Sequence, residues 1–221
     1  MSKLPLPPAF RKQPVDHSDR GRNLVEIDFT SNAFRMGEFP AHDFFGDGSF
    51  YLLDAPGHAV GHMAALVRTT TNPDTFIFLG GDLCHHGAEI RPSLALPFPP
   101  RVQDHYTCPE AVANKTNGEC PGAAEFKALN VEIGREADGP ALFPAIYTNL
   151  TQAVESIERA QPADARDDIF VVWAHDTNIN GTVDQFPLLA NDWKRKGWKE
   201  KVHWEFLADL APGAAKLTER R

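Results

Sequence analysis

The run Asp54-Ala55-Pro56-Gly57-His58-Ala59-Val60-Gly61-His62 decides how this chain is read. Before it stands Phe50-Tyr51-Leu52-Leu53, apolar and of strand length. After it come two more strand-like runs, 62–70 and 75–79, and the second closes on Gly80-Gly81-Asp82. A histidine on a Pro-Gly turn, followed by an aspartate at a strand end, suits a metal site built on a sheet. The sheet holds the ligands, and the loops beyond them shape a pocket.

Working outward, the hydrophobic pattern predicts a run of β-hairpins. Residues 23–29 read as a strand, 39–45 and 50–53 as a hairpin closed by Gly46-Asp47-Gly48, and 62–70 with 75–79 as a second hairpin turning at Thr71-Asn72-Pro73-Asp74. The proline-rich segment 88–122 reads as a long loop over a site. Helices are expected at 123–129 and 144–159. The second has Ile146, Leu150, Val154 and Ile157 on one face and ends at Gln161-Pro162. The apolar run Ile169-Phe170-Val171-Val172-Trp173 reads as a buried strand that stops at Ala174-His175-Asp176. Trp193, Trp198 and Trp204 are expected to anchor a C-terminal helix. The class is α/β (α+β), with residues 1–22 an extended leader and 23–221 a single domain.

Composition narrows the function. The chain has 221 residues, 42% hydrophobic and 24% charged, as in ordinary soluble domains. A net charge of −8 gives nucleic-acid binding no electrostatic support. The basic residues Lys194, Arg195, Lys196, Lys199 and Lys201 read as one solvated face. No apolar stretch approaches the ~20 residues of a membrane span, and Met1-Ser2-Lys3-Leu4-Pro5-Leu6-Pro7-Pro8 is too broken by proline for a signal peptide. Three cysteines, Cys84, Cys108 and Cys120, fit a reducing, cytoplasmic compartment, with a Cys108–Cys120 pairing left open. Gly-x-Ser-x-Gly, His-Glu-x-x-His, Cys-x-x-Cys and phosphate-binding glycine loops are absent.

His58, Asp82 and His175 each follow an apolar strand-like run, and histidine with carboxylate suits zinc, iron or manganese. Taken singly, each has an ordinary explanation: a polar surface histidine, or an aspartate capping a turn. Their separations, 24 and 93 residues, carry no specificity without a fold to bring them together.

The three motifs Asp54 to His62, Phe78-Leu79-Gly80-Gly81-Asp82 and Val172-Trp173-Ala174-His175-Asp176 resemble, in order, the third, fourth and fifth metal motifs of the metallo-β-lactamase superfamily. Gly81-Asp82-Leu83-Cys84-His85-His86 resembles fungal lactonase-like members. The resemblance implies a four-layer αββα sandwich, of which this chain would hold mainly the C-terminal half. It implies that His58 binds one zinc ion, His175 a second, and Asp82 bridges the two as the catalytic carboxylate. The reaction implied is hydrolysis of a lactone, ester or thioester by water activated at paired metal ions, with fungal secondary metabolism as a setting. His62, His85, His86 and Asp176 would support the ligands or touch substrate. His85 and His86 could equally be exposed loop residues, and Asp176 a solvated one. Cys84 reads as a small buried residue.

One departure stands out. The superfamily's His-x-His-x-Asp-His run is missing; His42-Asp43, His85-His86 and Asp104-His105 lack its spacing. With two protein ligands per metal, weak metal binding and slow turnover are expected. A half-sandwich also predicts an uncovered sheet face. The alternative is therefore a non-catalytic truncated homologue that self-associates or binds another chain through that face.

Overall fold

The computed structural model describes residues 27–30, 34–142 and 146–220. The expected leader, 1–22, lies outside the described residues, as do 23–26 of the expected first strand; residues 27–29 form no strand. Among the described residues, six strands make one sheet in sequence order: β1 (Arg35–Met36), β2 (Phe39–Asp43), β3 (Phe50–Asp54), β4 (Met63–Thr70), β5 (Thr75–Leu79) and β6 (Ile169–Val172). The first five pair antiparallel with their neighbours in sequence. The last runs parallel to β5, because 89 residues of crossover separate Leu79 from Ile169.

Register sorts the side chains into two faces. Tyr51, Leu66, Phe78 and Val171 stand in one row across β3 to β6. They pack with Phe39, Leu53 and Cys84 against Ile157 and Ala160. Phe50, Val67, Ile77 and Phe170 form the row on the other face. There Trp193, Trp198 and Val202 cover Ile77 and Phe170. Toward β3 the cover thins: Phe50, Leu52 and Val67 are half-buried, and the adjoining Phe44 and Phe45 are 51% and 66% exposed.

Among the described residues, five α-helices pack around the sheet: α1 (Glu110–Ala113), α2 (Ala123–Glu132), α3 (Leu150–Ala165), α4 (Trp198–Val202) and α5 (Leu207–Glu219). The segment read as loop, 88–122, has a core of its own. Val102, Tyr106 and Val112 pack with Phe126 of α2 and with Trp204, Leu207 and Ala211, and the Tyr106 hydroxyl donates to Pro121 O at 2.6 Å.

Several sequence expectations are corrected. Asn149 begins α3 by accepting Gln152 N–H on its side chain at 3.2 Å. The buried face is therefore Ala153, Ser156, Ile157, Ala160 and Asp164, while Ile146 is 73% exposed. Small residues on that face let the helix approach the Pro-Gly loop closely. Pro162 does not end the helix: buried Asp164, held by Arg91 at 2.6 and 2.7 Å, anchors the turn beyond it. The C-terminal tryptophans are buried as expected, but they organise two helices rather than one. Lys199 is not on a solvated face. It is 7% exposed, and its ammonium donates to the carbonyls of Asp164, Arg166 and Ile169, where α3 ends and β6 begins. Burial pulls it down to about 8. All three cysteines are free thiols, so Cys108 and Cys120 are not paired. Among the described residues, no helix is long and apolar enough to cross a membrane.

Candidate metal centre

Three loops at one end of the sheet carry the expected residues together. The first follows β3. Gly57 has φ +135, and a methyl there would overlap the backbone of Ala153, so only glycine lets this loop lie against α3. The loop is tied down by Asn149 N–H to Gly57 O at 2.9 Å, Thr148 N–H to His58 O at 3.0 Å, and Ser156 Oγ to Pro56 O at 2.7 Å. His58 is thereby held at the N-terminus of α3.

The second and third loops extend the β5–β6 pairing past its last ladder residues. Gly80 N–H donates to Val172 O at 2.7 Å, and Ala174 N–H donates to Gly81 O at 2.8 Å. A separation of 93 residues in sequence thus becomes a hydrogen bond: His175 Nε2 lies 3.1 Å from Asp82 Oδ1. His175 has φ +69, a left-handed conformation costing a non-glycine residue about 1–2 kcal/mol. Strain of this kind clusters at functional positions.

Asp82 is the centre. Its Oδ2 lies 3.9 Å from His58 Nε2, and its Oδ1 lies 3.7 Å from His85 Nε2 as well as 3.1 Å from His175 Nε2. Ligand atoms of His58, Asp82 and His85 all fall within 4.8 Å of one another. The His85 and His175 rings stack, with centroids 5.4 Å apart and planes 18° apart. Burial lowers the His85 imidazole below its ordinary value. Two or three imidazoles and one carboxylate form a donor set that fits zinc, manganese or iron.

The remaining expected residues sit around this centre in different ways. His62 links two loops: its Nδ1 lies 2.8 Å from Ala55 O, and its Nε2 accepts Asp82 N–H at 3.0 Å. His86 turns toward α5. Its Nδ1 accepts Ala88 N–H at 3.1 Å and its Nε2 lies 3.1 Å from Asp209 Oδ2. Asp176 accepts Asn178 N–H at 3.1 Å and starts a 3-10 turn, and burial raises its carboxyl. Cys84 is fully buried, and burial pushes its thiol up.

Sequence reasoning did not single out Tyr147 and Glu89. The Tyr147 hydroxyl lies 2.9 Å from His85 Nδ1, 3.1 Å from Glu89 Oε2 and 3.3 Å from Leu83 O. Burial, then the Glu89 carboxylate, raises the phenol far above its ordinary value. The spacing of His85 and Glu89 was visible in the sequence; nothing local pointed to Tyr147, 62 residues from its partner.

The chain is a homologue of fungal hydrolases that include a γ-lactamase and a metallo-hydrolase. It is 43% identical over 198 residues to "Gamma-lactamase FDB1" of Fusarium pseudograminearum, a match covering 87% of this chain and 46% of that protein. To "Metallo-hydrolase mfmC" of Annulohypoxylon moriforme it is 36% identical over 209 residues, covering 94% and 52%. To "Cytochrome P450 monooxygenase mpaDE'" of Penicillium brevicompactum it is 41% identical over 194 residues, covering 86% of this chain and 20% of that protein. The chain thus spans about half the length of the first two relatives and a fifth of the third. No family model matches the chain, and no solved structure matches it.

Proposed function

We propose that this chain is a metal-dependent hydrolase of the metallo-β-lactamase kind, with His58, Asp82 and His175 at its centre and a cyclic amide or related acyl compound as substrate. The observation that carries the reading is the convergence of three imidazole Nε2 atoms on the two oxygens of Asp82, at 3.1 to 3.9 Å. Oδ2 faces His58, whereas Oδ1 faces His175, so one carboxylate can serve a cation on either side. Zinc is the first candidate, and manganese and iron suit the same donors. A divalent cation bound there would supply Lewis acidity and a water of lowered pKa. The chain's own residues would place that cation and leave the exposed side of His175 open for a substrate carbonyl; this imidazole is 63% exposed.

The γ-lactamase name of one relative makes a γ-lactam the first substrate to try. A lactone, ester or thioester presents the same carbonyl. The test is hydrolysis of a γ-lactam and the matching γ-lactone by the purified chain, before and after chelation, with zinc or manganese restored. Loss on chelation and recovery with metal are expected, as is loss in Asp82→Asn. Turnover that survives chelation, or a chain that takes up no divalent metal, overturns the proposal.

A second reading rests on the thin cover over Phe50, Leu52 and Val67 and on exposed Phe44 and Phe45. That face would pair with a second copy or another chain, since contiguous exposed apolar surface marks interaction sites. Light scattering across a concentration series tests self-association. A monomer throughout, unchanged in Phe44→Ser/Phe45→Ser, removes the second-copy form of this reading.

A further inference from the structure

Proton counting around Tyr147 determines the state of His85. The Tyr147 hydroxyl has one proton and three polar neighbours. Leu83 O can only accept, and Glu89 Oε2 acts as an acceptor, already taking the His85 backbone N–H at 2.8 Å. The proton is therefore directed to those oxygens. Toward His85 Nδ1, 2.9 Å away, the hydroxyl presents a lone pair, so Nδ1 carries the imidazole proton. In the neutral ring Nε2 is then left with a bare lone pair.

That lone pair faces Asp82. The 3.7 Å from Nε2 to Oδ1 is too long for a hydrogen bond. Two electron-rich atoms therefore face each other without a proton between them, and His58 Nε2 stands 3.9 Å from the other carboxylate oxygen. Neighbouring donors on a tetrahedral zinc ion lie about 3.4 Å apart, given metal–ligand distances near 2.0–2.1 Å. On a bound ion the ligand atoms of His58, Asp82 and His85, which lie within 4.8 Å of one another, would draw in to that spacing.

We infer that His85 is a metal ligand, forming with His58 and Asp82 a three-residue site that is oriented from outside by the Tyr147–Glu89 pair. The inference rests on the metal-dependent reading above and deepens it. It adds a third ligand to the His58–Asp82 pair, the number catalytic zinc sites use with one position left open. Tyr147 and Glu89 are positioning residues. Glu89 is buried, and the Tyr147 ring packs edge-on against both His58 and His85, with centroids 5.6 and 5.2 Å away. Histidine ligands commonly donate their second ring N–H to such an outer partner, whose loss costs about 10–100-fold in metal affinity.

The experiment is a Co²⁺ titration of the purified chain, followed by its visible absorption, with Zn²⁺ competition for affinity. Variants are His85→Ala, Tyr147→Phe and His86→Ala, each checked for fold by circular dichroism. His85→Ala is expected to lose more than 100-fold in affinity and to change the cobalt spectrum. Tyr147→Phe should lose about tenfold, and His86→Ala should bind as the parent does. Long-range ¹H–¹⁵N NMR of the parent chain supplies a measurement free of mutation. It should show His85 protonated on Nδ1 before metal, with the Nε2 signal moving when Zn²⁺ is added. A parent that binds metal, with His85→Ala unchanged or His85 protonated on Nε2, overturns this inference and leaves the hydrolase reading standing. A parent that binds no metal overturns both.

Discussion

The backbone N–H of Asp82 donates to His62 Nε2 at 3.0 Å, and His62 Nδ1 in turn lies 2.8 Å from Ala55 O. One neutral imidazole therefore joins the loop after β3 to the loop after β5. The fit is close, since a methyl on Gly81 would stand 3.0 Å from the same Nε2. Replacing His62 with alanine should leave the fold intact and loosen Asp82. We expect about a tenfold loss in zinc affinity, measured by competition with a chromophoric chelator.

Gly57 should tolerate no side chain. Its φ of +135 disfavours L-residues, and a methyl would overlap the Ala153 backbone at the start of α3. Gly57→Ala should cost more than about 2 kcal/mol in a urea melt, as expected for overpacking combined with backbone strain. Metal affinity should fall as well, because the next residue is His58.

Arg91 and Asp164 form a buried bidentate pair at 2.6 and 2.7 Å, and Arg91 also donates to His203 O at 2.8 Å. Burial works to raise the Asp164 carboxyl, and the Arg91 guanidinium overrides it, holding it far below the usual range. Arg91→Met should leave that carboxylate buried without its partner. A loss of about 3–5 kcal/mol is expected by denaturant unfolding. Asp164→Asn should be comparably destabilising, and the double variant less than the sum of the two.

Acid should weaken the fold through His203. Burial, reinforced by the Arg91 charge, lowers its pKa to about 4 from an ordinary value of 6.5. Between those values the unfolded chain takes up a proton that the folded chain does not. Stability is therefore fully present above pH ~6.5, declines as pH falls, and levels off below pH ~4. The decline attributable to this group is about 3 kcal/mol. Urea melts at pH 7, 5.5 and 4.5 should show it, with a shallower slope in His203→Asn.

How much of this was legible beforehand depended on the range of the interaction. β2 through β5 follow from alternation and turn residues, because hairpin pairing is decided by neighbours in sequence. β6 followed from an unbroken apolar run. The buried face of α3 did not. Ile146 and Leu150 have the right spacing, yet the Asn149 cap and the close approach of Gly57 select Ala153 and Ala160 instead. Lys199 looked like part of a solvated basic run. It is buried because three carbonyl oxygens of the α3–β6 junction need a donor.

The sequence by itself determined which residues end the strands, and so where His58, Asp82 and His175 could stand. Ligand-type residues after apolar runs are a local signal, and their meaning came through the resemblance they carry. Only the tertiary structure decided that His85 faces Asp82 while His86 faces Asp209, though the two are adjacent in the chain. The physical reason is that the Tyr147 hydroxyl holds one imidazole and Asp209 of α5 the other. Partners 62 and 123 residues away set those directions, and periodicity or local spacing does not carry information over such distances.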